Sequence, residues 1–145
     1  MKNKLNNPYI LTSIALLALS LTQKCYCTTS NCADSIMVFL LGGLGMFSGG
    51  ACLTWLANPL LILSWYTFKS NLKTSMWCSV AATLIAFSFL LFDTVLANES
   101  GGSQQIISYK SGYYLWVLSC SAMLVATYVA MYKRNVERLR SNASN

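Results

Sequence analysis

Four runs of apolar residues alternate with short polar segments along the chain. The runs cover residues 9–22, 36–68, 76–97 and 113–132. Crossing the ~30 Å hydrocarbon core of a bilayer takes about 20 helical residues, and the third and fourth runs fit one span each. The first run reaches that length if its helix continues through residues 23–27. The pattern therefore predicts an all-α protein, a bundle of four transmembrane helices.

The second run is too long for one span and contains several residues that interrupt helices. As a single helix its 33 residues would extend about 50 Å. Counting back about 20 residues from Phe68 places the outer end of the span at Gly49 and Gly50, and leaves residues 35–48 as a short apolar outer segment. One integral membrane domain, residues 1–145, is thus predicted, with spans at about residues 8–27, 49–68, 76–97 and 113–132 and a basic tail at 133–145.

Asn58 and Pro59 place a polar side chain and a helix-breaking residue near the middle of the second span. The proline ring should free the carbonyl group of Trp55 and kink the helix. Such a break can present backbone groups to an ion or substrate, as in carriers. It can also serve packing, with Asn58 hydrogen-bonded to a neighbouring helix and Pro59 setting the crossing angle. Packing is the preferred interpretation, because no carboxylate lies at the same depth.

The basic residues predict the orientation of the chain, which carries a net charge of +6. Lysine and arginine are retained in cytoplasmic loops, so both termini are expected to be cytoplasmic. A cleaved signal peptide is an alternative for the first run and would leave the orientation of the rest unchanged. Eight of the ten basic residues lie on the predicted inner side: Lys2, Lys4, Lys69, Lys73, Lys133, Arg134, Arg138 and Arg140.

Three of the six cysteines, Cys25, Cys27 and Cys32, lie in the first predicted outer loop. Compartments outside the cytoplasm are oxidising, so one disulfide is expected there. A bond between Cys25 and Cys27 would be strained, and Cys32 should therefore pair with Cys27 or with Cys25. The remaining thiol could bridge two protomers, stay free or join a metal site. Because the chain has no histidine, no metal site is predicted.

Asp93 is the acidic residue that falls within a predicted span. Intramembrane carboxylates commonly handle protons or cations. Asp93 is also about one helical turn from the outer end of its span, where it can reach headgroup water or Lys110. No second carboxylate, nucleophile–base pair or phosphate-binding loop accompanies it. No catalytic residue and no cofactor is therefore predicted, and the chain is not expected to be an enzyme.

Small residues recur on the fourth span in a pattern that favours close helix packing. Ala122, Ala126 and Ala130 are spaced four apart and share one face of the helix. This face can pack within the chain or against a second copy. The basic tail that follows can lie near anionic lipid or meet a protein partner on the cytoplasmic side. Specific binding of nucleic acid is not expected.

Three short segments resemble a family of small four-span bacterial membrane proteins of unknown function. They are "WLANPLL" at residues 55–61, "SFLLFD" at 88–93 and "GYYLW" at 112–116. The resemblance covers roughly residues 50–118 and does not include the cysteine-rich loop. It implies a location in the bacterial inner membrane and transfers no activity and no site residue.

Two functions are consistent with these observations. The first is a non-enzymatic membrane component, such as a sensor, anchor or accessory subunit that acts through a partner in a stress or phage-defence system. The alternative is a small oligomeric channel or carrier that uses the broken second span. The bilayer and either a second copy or a cytoplasmic protein are the expected partners.

Overall fold

The structure is a computed structural model that describes residues 8–45, 50–96 and 102–143. Its α-helices are α1 (Pro8–Leu21), α2 (Ser35–Leu41), α3 (Ala57–Thr67), α4 (Leu72–Ser88) and α5 (Ser111–Ala143). Two 3₁₀ helices, Gly50–Leu56 and Phe89–Leu91, precede α3 and follow α4. The β-strands are β1 (Lys24–Thr28), β2 (Cys32–Asp34), β3 (Thr94–Leu96) and β4 (Ser103–Tyr109).

The strands form an antiparallel sheet in the order β2-β1-β4-β3, so the prediction of an all-α fold is wrong. Along β1, Cys25 and Cys27 are buried while their neighbours are more exposed, and β4 alternates in the same way. A period of two suits a pleated strand and not a helix. Residues 23–27, expected to complete the first transmembrane helix, therefore belong mostly to a strand, and α1 ends at Leu21.

The prediction of four transmembrane helices is also wrong. Within the described residues, two helices are long and apolar enough to cross a membrane: Leu72–Leu91, which is α4 with its 3₁₀ extension, and α5. The other two candidates are too short, because α1 has 14 residues and α3 has 11. The second apolar run is divided among α2, a 3₁₀ helix and α3. Residues 46–49, which include Gly49 of the predicted break, lie outside the described residues.

The helices lie side by side in the order α1, α5, α4, α3, and each neighbouring pair is joined by a buried pair of hydroxyl groups. Small side chains let the backbones approach closely, and interhelical hydrogen bonds between them are worth on the order of 1 kcal/mol. The pairs are Ser13 with Ser119 between α1 and α5, Ser79 with Thr127 between α4 and α5, and Ser64 with Ser75 between α3 and α4, at oxygen–oxygen distances of 3.2, 3.0 and 3.0 Å.

The helices bury several small polar residues and leave many large apolar side chains exposed. The six paired hydroxyl residues are all fully buried. In contrast, Trp77 is 74% exposed, Leu84 65% and Tyr128 62%. Less than half of each of the two long apolar helices is buried within the molecule. The interior thus combines small hydroxyl residues with apolar side chains such as Ile10, Leu61 and Met123, while many large apolar side chains remain on the surface.

Most of the basic residues lie at the end of the helices opposite the sheet, whereas Lys24 and Lys110 lie at the sheet end. α4 runs antiparallel to α5, because Tyr113 near the start of α5 donates to the Ala86 carbonyl oxygen near the end of α4, while Ser79 contacts Thr127. The start of α4 and the end of α5 therefore lie at the same end of the molecule. At the other end β4 leads directly into α5. The basic residues at the first end are Lys69, Lys73, Lys133, Arg134, Arg138 and Arg140.

Candidate functional site

A cavity of about 750 Å³ lies where the sheet meets the helices. Its walls come from the end of α1, from β1, from α2 and from the 3₁₀ helix Gly50–Leu56. Further walls come from the start of α3, the 3₁₀ helix Phe89–Leu91, β3 and the second turn of α5. Many of the lining side chains are apolar. Five of them are aromatic: Tyr26, Phe39, Trp55, Phe89 and Trp116. A cavity of this size with mainly apolar walls and a few polar groups is typical of a small-molecule binding site.

Trp55 fixes the outer wall of the cavity by joining the 3₁₀ helix to α2. Its Nε1 donates a hydrogen bond to the Phe39 carbonyl oxygen at 2.7 Å. A Cβ atom on Gly42, just after α2, would come within 2.7 Å of the Trp55 ring. Glycine is therefore required at position 42 for this close approach. At its other end α2 is held by the amide of Ser35, which donates to the Gln23 carbonyl oxygen at 3.1 Å.

Asn58 provides a polar group within the apolar wall. The residue is 5% exposed, and its Oδ1 accepts a hydrogen bond from Trp116 Nε1 at 2.8 Å. Within the described part of the chain, the amide Nδ2 of Asn58 donates no hydrogen bond. Asn58 lines the cavity, so this amide is accessible from it. Asn58 therefore carries a donor that a bound molecule can satisfy.

The helix break predicted at Asn58 and Pro59 has a different form in the structure. The change from 3₁₀ to α-helix occurs between Leu56 and Ala57, so Pro59 lies in the first turn of α3. The missing N–H of proline is best tolerated there. Gly50, the described glycine of the predicted break, has a φ of +61°, a conformation that favours glycine. The hydrogen bond between Asn58 and a neighbouring helix is of the kind that the packing interpretation requires.

Ser35 carries a buried hydroxyl group that has no ordinary hydrogen-bond partner in the described residues. The side chain is 5% exposed and lines the cavity. Its Oγ interacts with the Cys25 thiol but makes no hydrogen bond of ordinary geometry within residues 8–45, 50–96 and 102–143. It lies against Gly112, the second residue of α5, where a Cβ atom would collide with it.

The cavity is electrically neutral at physiological pH. None of its lining residues carries a formal charge. Burial raises the pKa of the Cys25 thiol to about 11, an effect that the nearby Ser35 hydroxyl partly offsets. Burial likewise raises the pKa of Tyr26 to about 12. Both groups therefore stay protonated at neutral pH, and the cavity lacks a charge that would bind an ion.

The expectation of one disulfide in the loop after α1 is confirmed, because Cys27 is bonded to Cys32. Of the two pairings considered, the structure contains this one, which closes the hairpin between β1 and β2. The leftover thiol, Cys25, is free and buried in the cavity wall. Its high pKa keeps it in the unreactive thiol form.

The other residues singled out from the sequence lie away from the cavity. Asp93 is exposed in the bend between a 3₁₀ helix and β3, and its carbonyl oxygen accepts a hydrogen bond from Ile106. It is therefore outside the helices that could cross a membrane. Ala126 is buried in the contact of α5 with the other helices, and Ala122 and Ala130 are partly buried.

The cavity cannot be recognised in the sequence alone, because residues from eight helices and strands line it. Of its polar groups, Asn58 was singled out, whereas Ser35 and Trp116 were not associated with a site. No protein-family model, no curated protein and no solved structure matches the chain. The function must therefore be argued from the cavity and from the surface of the helices.

Proposed function

We propose that this chain is a non-enzymatic membrane protein that binds a small, neutral, mainly apolar molecule in the cavity beneath its sheet, as a sensor or accessory subunit. The observation that carries the proposal is the unpartnered amide of Asn58 in an uncharged cavity of about 750 Å³. A site of this kind selects a ligand with a large apolar body and few polar groups. The cavity offers no charged group for catalysis, which supports a binding role.

The distribution of residues on the helices supports a membrane location. Lipid solvates the exposed side chains of Trp77, Leu84 and Tyr128 at a lower free-energy cost than water does. The buried hydroxyl pairs are of the type that joins helices in lipid. We propose that α4 and α5 cross the inner membrane of a bacterium. The basic end, with Lys73 and Arg134, would then be cytoplasmic and the sheet would lie outside.

Reporter fusions test this orientation. We expect alkaline phosphatase, which is active only outside the cytoplasm, to be active when inserted between β3 and β4 and inactive when fused after Asn145. Green fluorescent protein fused after Asn145 should fluoresce, because that end would be cytoplasmic. An active phosphatase at Asn145, combined with an inactive one in the β3–β4 connection, would show that the orientation is reversed.

Thermal unfolding in a mild detergent tests the binding role. Saturating 2,3-dimethylnaphthalene should raise the Tm of the protein by about 5 °C, because a ligand that binds only the folded state stabilises it. The control is Ala51→Phe, which fills the cavity with a side chain from a buried position in its wall. The shift should be absent in this variant. An equal shift in both proteins would come from the detergent and would contradict the proposal.

The ligand would act through the segments that it touches. It would contact α2, α3 and α5 together, and α5 continues to the basic end of the molecule. A change in the packing of α5 at the sheet end would therefore be carried along one continuous helix of 33 residues. We propose that a cytoplasmic partner or a second copy of the chain responds to this change.

A further inference from the structure

We propose that two copies of this chain associate side by side through one exposed face of α5. This inference rests on the proposed membrane location and deepens the proposed function, because it names a second copy as the partner at α5 and gives the surface that binds it. Three observations carry it: a regular row of exposed residues along α5, the continuation of that row past the apolar part of the helix, and the position of the charged residues away from it.

Six exposed residues follow one face of α5. They recur at intervals of four, seven, three, four and seven positions, and each is 53–70% exposed. Because these intervals fit a repeat of seven, the residues stay on one side of the helix. A heptad repeat is the spacing by which one helix packs continuously along another. The residues of this α5 stripe are Tyr114, Leu118, Val125, Tyr128, Tyr132 and Leu139.

Other faces of α5 are used for packing within the chain. Tyr113, Cys120, Met123 and Ala126 are buried, and α5 packs against α1 and α4. The stripe residues are on the surface of the described part of the chain. The fold of a single copy therefore leaves the α5 stripe available for a second molecule.

The end of the α5 stripe lies where lipid tails do not reach. The apolar part of α5 ends at Tyr132, and Lys133 begins its basic end. Leu139 follows seven positions after Tyr132, about 10 Å further along the helix axis. The headgroup layer beyond the hydrocarbon core is only about 5–8 Å thick on each side. Lipid therefore does not cover Leu139, whereas a protein surface can.

The charged residues of the basic end lie off the α5 stripe. Successive residues of an α-helix are turned by about 100°, so these residues are on the sides and the back of the helix relative to Leu139. An acidic partner would contact the charged residues and not the uncharged stripe. Two copies in contact along the stripe instead keep their like charges apart. The charged residues are Lys133, Arg134, Glu137, Arg138 and Arg140.

A second copy suits the α5 stripe because a heptad face is complementary to itself. Two-fold symmetric interfaces use the same patch on both subunits. Copies inserted in one membrane have the same orientation, so their α5 helices run parallel and each stripe residue lies near its counterpart. Asn135, seven positions after Tyr128, is exposed at the next position of the repeat. An asparagine within such a repeat fixes the alignment of two paired helices.

Single cysteines at the basic end test the contact directly. Leu139→Cys places a thiol on the α5 stripe. Glu137→Cys is the matched control, because it places a thiol on the opposite side of the same helical turn. Oxidation of isolated membranes with copper phenanthroline should convert Leu139→Cys into a disulfide-bonded dimer. Glu137→Cys and the parent protein, which retains its native cysteines, should remain monomeric on a non-reducing gel.

A second pair of variants measures the contribution of the α5 stripe to association. Leu139→Lys introduces a charge on the stripe, and Ser141→Lys introduces the same charge on the opposite side of the helix. Sedimentation equilibrium in a density-matched detergent gives the dissociation constant of each dimer. Leu139→Lys should raise it by about tenfold or more, because two leucines lose their contact and two like charges approach each other. Ser141→Lys should change it by less than about twofold.

The inference fails if the parent protein is a monomer at every concentration and Leu139→Cys is cross-linked no more than Glu137→Cys; lipid is then the occupant of the stripe. A dimer that Leu139→Lys does not weaken would use another surface and would contradict it too. The cavity is tested separately, because its lining residue on α5 is Trp116, which is not in the stripe. A monomer with the Tm shift by 2,3-dimethylnaphthalene would refute only the dimer, and a dimer without that shift would refute only the binding function.

Discussion

Replacing Ser13 with leucine should lower the free energy of unfolding by about 3–5 kcal/mol and separate α1 from α5. Ser13 is fully buried, and its Oγ donates to the Ser119 carbonyl oxygen at 2.9 Å. A larger side chain at such a contact typically costs about 1–3 kcal/mol in strain. Groups that lose their partners add a similar cost.

Several groups depend on Ser13. The indole N–H of Trp65 donates to the Ser13 hydroxyl at 3.1 Å, and the Ser119 hydroxyl donates to the Ser13 carbonyl oxygen at 2.7 Å. Leucine would leave the Trp65 N–H without an acceptor and push α1 away from α5. Leu17 and Ser20 of α1 line the cavity, so the variant should also lose affinity for an apolar probe.

Thr12→Leu is the control for the Ser13 variant, because Thr12 is exposed next to it and its hydroxyl bonds only within α1. Its stability should lie within about 0.5 kcal/mol of the parent. Reversible unfolding in detergent, followed by far-UV circular dichroism, measures both variants. If Ser13→Leu is as stable as Thr12→Leu, the buried hydroxyl pair does not hold α1 to α5.

The helices that the sequence predicted best are those with a continuous apolar pattern. The third and fourth apolar runs correspond to α4 and α5, the two helices long enough to cross a membrane. The first and second runs failed because an apolar composition does not define where a helix ends. In α1 the helix stops at Leu21, and in the second run the polypeptide changes from α2 to a 3₁₀ helix and then to α3.

The sheet could not be predicted because its central pairing joins distant segments. Thr28 of β1 pairs with Ile106 of β4, although 78 positions separate them in the sequence. The alternation of "SQQIISY" in β4 is present in the sequence, but a seven-residue pattern between two apolar runs is equally consistent with a polar loop. Pairing partners, and not local propensity, decide whether such a segment forms a strand.

The candidate site shows the same limit. The disulfide between Cys27 and Cys32 was predictable, because the two cysteines are five positions apart in a loop that was expected to face an oxidising compartment. Asn58 was conspicuous as a polar residue in an apolar run. Ser35 and Trp116 were not, because their importance comes from the fold: one carries a buried hydroxyl without an ordinary hydrogen bond and the other orients Asn58. No periodicity in the sequence reports such contacts.

Replacing Gly112 with alanine should lower the free energy of unfolding by about 2–3 kcal/mol and disturb the cavity. The added Cβ would lie 2.6 Å from the Lys24 carbonyl oxygen and would collide with the Ser35 hydroxyl. The backbone at Gly112 cannot shift freely, because its carbonyl oxygen accepts a hydrogen bond from Ser20 at 2.9 Å. Crowding of this kind costs about 3 kcal/mol, which the better helix propensity of alanine offsets by up to ~1 kcal/mol.

Gly50→Ala is the matched control, since it makes the same chemical change where a Cβ atom meets nothing within 4 Å. Its cost should be about 1 kcal/mol and arises from the positive φ of Gly50. Both variants are compared by thermal unfolding and by affinity for 2,3-dimethylnaphthalene. We expect Gly112→Ala to lose affinity, because the collision displaces Ser35 and with it α2, one wall of the cavity. If Gly112→Ala is as stable as the parent and keeps its affinity, the close contact of β1, α2 and α5 at this position is wrong, and the cavity must be bounded differently.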